Sequence, residues 1–126
     1  MRPASLSDVA ELALRGDHFD RCLASFLDGF YAAPQGSGLA AEPGLLAPRF
    51  GELGQVQDAY LAAVAEDLAR RYSLAQPSWT FTEARKLRKP WFASPLESLR
   101  TILLLESPAA FRTRNLFVSE NALSRV

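Results

Sequence analysis

Phe19, Cys22, Leu23, Phe26, Leu27, Phe30 and Tyr31 recur at i, i+3, i+4, i+7 spacing for three turns, with Asp20, Arg21, Ser25 and Asp28 between them. That period collects the apolar side chains on one stripe of a helix and leaves the polar ones wet. The opposite signal is missing. No run of Val, Ile, Thr and aromatic residues alternates with period two over the length of a strand; only Phe117-Val118 reads as a short extended piece. A chain so patterned must bury helix against helix, and the expected fold class is all-α.

Start and stop signals divide the chain. Ser5 caps a helix of about residues 6–15, with Asp8 three residues on, Gly16 as the stop, and Leu6, Val9, Ala10 and Ala13 facing in. Asp17 is the expected cap of the next helix, about 18–33. Gly54 precedes a third of about 55–73, with Val56, Tyr60, Val64 and Leu68 as its inner row. Its Glu66–Arg70 and Asp67–Arg71 pairs sit on a solvated face. Thr80 or Thr82 starts a short basic helix ending near Arg88, before Pro90.

Ser94-Pro95-Leu96-Glu97 combines a cap, a first-turn proline and a box-closing glutamate. The helix it opens carries Leu96, Leu99, Ile102, Leu103, Leu104 and Leu105 on most faces, and is expected to be the central, most buried one. Ser107-Pro108 signals a helix of about 108–116, and Ser119 a last turn through Asn121, Ala122 and Leu123. Pro34–Gly38 and Ala75–Ser78 break the pattern. Pro43-Gly44 and Pro48 mark an irregular segment with room for one helical turn. No linker separates two units. The expectation is a single helical domain over 1–126, an irregular bundle of five to seven helices.

Composition bounds the function classes. At 48% hydrophobic and 22% charged residues the chain is ordinary for a globular domain and unlike a disordered one. One cysteine, Cys22, cannot form an intrachain disulfide. No stretch has the roughly 18 apolar residues of a membrane span. Met1-Arg2-Pro3 leads into polar residues rather than an apolar run. The expected location is the cytoplasm, with no membrane partner.

Charge is unevenly distributed. Residues 77–126 hold eight Lys/Arg against four acids, and residues 1–76 hold six against ten, so a net charge of zero conceals two opposite segments. The basic segment has both tryptophans. It can dock on the acidic part of its own chain or on a partner. Its densest part is Arg85, Lys86, Arg88 and Lys89, followed by Trp91 and Phe92. The plainest account is a solvated basic face with the two rings plugging the core. A protein interface, where Trp and Arg are favoured anchors, comes next. Nucleic-acid binding comes last because the total charge is neutral.

A second polar group surrounds Glu106, with Arg112, Arg114 and Asn115 close behind it. A carboxylate at the end of an apolar helix needs a partner. A structural lock, Glu106 bonded by an arginine, is preferred over a site for an anionic ligand. Other chemistry has little footing. His18 is the lone histidine and reads as a surface residue; Cys22 lies within the apolar stripe and reads as core. With one His and one Cys no metal site is expected, and no cofactor-binding glycine motif occurs.

The tail Glu106-Ser-Pro-Ala-Ala-Phe111-Arg-Thr-Arg-Asn115, preceded by Pro90-Trp91-Phe92, resembles that of a family of small uncharacterised bacterial proteins of the same length. The resemblance spans most of the chain and implies a bacterial helical protein, with no activity, cofactor or catalytic residue attached. The alanine, arginine and leucine bias also suits a GC-rich bacterial genome. The functional expectation is a non-enzymatic protein-interaction or regulatory domain acting through residues 85–92, self-association included. The alternatives are a nucleic-acid-binding regulator using the same cluster, and an anion site at Glu106, Arg112 and Arg114.

Overall fold

A computed structural model describes residues 2–93 and 97–125, and it is mostly helical. Helix α1 spans Leu6–Leu14, and α2 spans Phe19–Ala32. Ser5 Oγ accepts from Asp8 N, and the Asp8 carboxylate accepts from Ala4 N, so the first turn is capped from both sides. Gly16, at φ +102°, ends α1 in a conformation that side-chain-bearing residues avoid. The cap of α2 is His18 rather than Asp17. Its Nδ1 accepts from Arg21 N at 3.4 Å, while Asp17 Oδ1 accepts from His18 N one residue too early to cap.

The irregular segment holds two single-turn helices, α3 (Ser37–Ala40) and α4 (Ala47–Phe50). They lead into α5 (Glu52–Arg71), the true centre of the fold. Ala59, Leu61, Ala62, Ala63, Val64, Ala65, Leu68 and Ala69 are all buried, on every side of the helix. Alanine makes this arrangement workable. A short side chain lets several neighbours approach one helix closely, and α4, α7 and the turns after α5 all pack on it. Closest of all is the α4 entrance. A Cβ on Gly54 would lie 2.4 Å from Leu46 O, so only glycine fits there.

Residues 78–85 form two 3-10 turns, Ser78–Phe81 and Glu83–Arg85, instead of one basic α-helix. The threonines explain the difference. Thr80 Oγ1 donates to Pro77 O and Thr82 Oγ1 to Trp79 O, which favours tight turns over helix continuation. Strand β1 (Trp91–Phe92) then pairs in parallel with β2 (Leu116–Phe117), Trp91 opposite Leu116. The extended piece expected at 117–118 thus falls one residue earlier. Asn115, at φ +62°, turns the chain into β2, and its Nδ2 donates to Leu87 O.

Helix α6 (Glu97–Glu106) forms, but it is not central. Leu103 is buried, whereas Leu99 is 38%, Ile102 47%, Leu104 44% and Leu105 77% exposed. The helix packs chiefly against β2, one thin support for residues that point all around its axis. The Ser94-Pro95-Leu96 start signal lies outside the described residues. The next helix, α7 (Ala109–Arg112), is one turn long and has no side-chain cap. Ser107 instead clamps the tail: buried, its Oγ accepts from Val118 N at 2.7 Å and lies within donor reach of Leu103 O. The turn at Ser119 forms as expected, and Tyr31 Oη donates to Leu123 O to pin it on α2. Among the described residues no helix is long and apolar enough to cross a membrane.

Candidate interaction surface

Much of the basic segment is satisfied by the acidic one. Arg85 is fully buried. Its guanidinium lies 3.7 Å from Asp58 Oδ1 and 3.9 Å from Glu42 Oε2, donates to Pro43 O, and stacks 4.9 Å from the centre of the Trp79 ring. Asp58 is placed by α5 to accept from Leu46 N and Ala47 N, so one buried carboxylate caps α4 and faces the cation. Burial raises the Asp58 pKa, against the pull of those two N–H groups and Arg85; burial likewise lowers that of Arg85.

Arg114 forms the second such contact. It donates to Glu66 Oε1 at 2.6 Å, to Ala110 O at 2.7 Å and to Thr80 O at 2.8 Å, with little exposure at either end of the ion pair. Glu66 therefore belongs to the interior as well as to its surface pair with Arg70. The third is exposed: Arg125 bonds both Asp28 oxygens, and this hydrogen bond draws the Asp28 pKa down.

These contacts decide where the expected site residues fall. Of the basic-aromatic group, Arg85 leaves the surface altogether. Lys86, Arg88, Lys89 and Trp91 remain exposed, Lys86 within 4.0 Å of Glu83. Phe92 is half-buried, stacked on Phe117 at 5.0 Å, and the Arg100 guanidinium of α6 lies 5.0 Å from the centre of its ring. The Glu106 group does not converge. Arg114 turns to Glu66, Asn115 to Leu87 O, and Arg112 stands in solvent. The lock exists, with Glu66 as its carboxylate in place of Glu106.

What remains outward is Trp91 of β1 and the exposed aliphatic residues of α6. Arg88, Lys89, Arg100 and Arg112 are exposed cations of the same C-terminal region, and none of them has an ion pair among the described residues. Sequence reasoning found the cations and Trp91 but assigned the α6 leucines to the core.

Trp91 also borders a groove of about 860 Å³. Leu23 of α2, Phe50 of α4, and Leu53, Val56 and Tyr60 of α5 line it, with Trp91 and Val118 on the strand side. Asp17, His18, Asp20 and Arg125 add polar groups to its lining. Gln57 Oε1 is buried there without a hydrogen-bond partner among the described residues, and burial, aided by Asp20, pushes the Tyr60 hydroxyl up to about 12. Its walls come from segments scattered along the chain, so no local motif announces it.

Cys22 is buried, with its thiol pushed up by desolvation and by Asp17, which makes it a poor nucleophile. His18 is exposed. Among the described residues no three His, Cys, Asp or Glu side chains gather as a metal site. No protein-family model matches the sequence, and no curated protein or solved structure is significantly similar to it.

Proposed function

We propose that this protein is a non-enzymatic interaction module that docks another polypeptide through α6 and the neighbouring Trp91–Phe92 strip. The observation that carries the reading is the exposure of Leu99, Ile102, Leu104 and Leu105 on one short helix. Single exposed apolar residues are normal on a surface, but these lie close together on a short helix that packs chiefly against β2 alone, and so much uncovered apolar surface marks a place of contact. The nearby arginines and Trp91 supply the anchor types that such faces favour. The nucleic-acid alternative has less support, since Arg85 is withdrawn into the core. As part of the same reading we place the protein in the bacterial cytoplasm, in keeping with its single, buried cysteine.

The test is a paired substitution, Ile102→Ser with Leu105→Ser, followed by binding of an apolar fluorescent dye and by thermal unfolding. Dye enhancement should fall several-fold while the midpoint moves little, because exposed side chains contribute within about 0.5 kcal/mol. A collapse of stability would show that these leucines pack at home.

A further inference from the structure

The groove bordered by Trp91 is a separate feature from α6, none of whose described residues lines it. We propose that this groove binds a neutral, mostly aromatic small molecule through one hydroxyl, which donates to Gln57 Oε1 and accepts from Tyr60 Oη. The proposal goes beyond the docking reading and does not depend on it.

Size and walls fit such a ligand. Small-molecule sites measure about 300–1,000 Å³, and this groove measures about 860 Å³. A cavity of about 150 Å³ holds one benzene-sized ring, so a body of about two or three fused rings has room. Leu23, Phe50, Val56, Tyr60 and Trp91 supply apolar walls, and the rings among them pack well against a flat ring. The charged and titratable lining residues, Asp17, His18, Asp20 and Arg125, are all exposed and keep their water. Arg125 is moreover bonded to both Asp28 oxygens. The polar groups set into the α5 wall are uncharged. An ionic ligand group placed against them would lose its hydration without gaining a counter-charge.

The hydroxyl follows from those two α5 residues. Gln57 and Tyr60 stand three positions apart, which makes them neighbours on one helix face. Gln57 Oε1 is buried with no hydrogen-bond partner among the described residues. Such an unpaired buried acceptor is rare in native proteins and costly. The amide turns about a broad terminal torsion, so its oxygen can swing from the wall to a donor that arrives in the groove. Tyr60 Oη makes no hydrogen bond among the described residues, and the desolvation that pushes it up to about 12 also strengthens any hydrogen bond formed there. An acceptor beside a phenol reads a hydroxyl, since a ligand O–H donates to the one while its oxygen accepts from the other. A ligand that pairs Gln57 Oε1 removes a cost that the protein otherwise carries. A donor-bearing molecule therefore gains over an analogue of the same shape without the donor.

The experiment titrates the full chain with 2-naphthol and with 2-methoxynaphthalene, followed through the ligand signals by NMR. The two compounds share a ring system, and the methyl group removes the donor. The native protein should bind 2-naphthol about tenfold more tightly. Gln57→Leu should bring the two compounds to equal affinity without weakening the methoxy compound, because the apolar walls are kept. Tyr60→Phe should narrow the preference and leave part of it. Circular dichroism checks that each variant folds, and either variant alone suffices for the comparison. Absence of binding by both compounds at millimolar concentration would overturn the site. A preference for 2-naphthol that is undiminished in the variants would overturn the assigned contacts. Neither substitution touches α6, so the docking reading stands or falls on its own dye measurement.

Discussion

Arg114 donates to Glu66 across 2.6 Å with both residues buried, and so ties the basic end of the chain to the middle of its central helix. Glu66 also receives Arg70 from solvent, so the carboxylate stands between an inner and an outer cation. Together with Arg85–Asp58 and Arg125–Asp28, this pair consumes much of the charge segregation inside the molecule. Of the basic segment, Arg88, Lys89, Arg100 and Arg112 are left without an ion pair among the described residues.

Removing one end of that lock should cost far more than removing both. Arg114→Ala leaves Glu66 facing a cavity and strips Ala110 O and Thr80 O of their donor. A loss of about 3–5 kcal/mol in urea unfolding is expected. Arg114→Met with Glu66→Met should recover most of it, and the double-mutant cycle reads the coupling. Simple additivity of the two losses would argue against a buried ion pair.

Asp58 performs two tasks, capping α4 and facing Arg85. Asp58→Ala should therefore destabilise by about 3–5 kcal/mol, because a cation stays buried without its counter-charge. Asp28→Ala, which removes the exposed pair, should change little, within about 1 kcal/mol. Equal losses at the two sites would contradict the burial assigned to Arg85.

Tyr60 should make stability fall in alkali. Its hydroxyl stays protonated in the folded chain up to about 12, while an unfolded tyrosine ionises near 10. The unfolded state thus releases its proton first, and stability from this group is complete below pH 10 and lost as pH rises to about 12. The span corresponds to roughly 2–3 kcal/mol. Tyr60→Phe should flatten that decline, and ultraviolet titration should show one of the three tyrosines ionising late. Three tyrosines titrating together would refute the assignment.

Gly54→Ala sets helix propensity against close packing. Alanine gains about 1 kcal/mol inside a helix. Its Cβ, however, meets the Leu46 carbonyl at 2.4 Å, a backbone atom that cannot swing aside. Overpacking of this kind costs about 1–3 kcal/mol, so a net loss is expected in the unfolding midpoint. A stabilised variant would mean that α4 can move away from α5 at little cost.

The helical class, the inner faces of α1 and α2, the Ser5 cap and the buried Cys22 follow from local order alone, since a stripe, a capping hydroxyl and a stop glycine each act within a turn or two. The solvated cations Lys86, Arg88 and Lys89 were legible in the same way, whereas Trp91, preferred as a plug of the core, stands exposed. Burial of α5 over α6 was not. Leucine is more apolar than alanine, which favours α6 for the centre, yet what a helix buries depends on how many neighbours reach it, and the alanines of α5 admit more of them. The partners of Arg85 and Arg114 lay equally out of view, 27 and 48 positions away. Periodicity is written in neighbouring residues. Which charge meets which, which helix lies innermost, and where a groove opens depend on segments brought together only when the chain closes on itself.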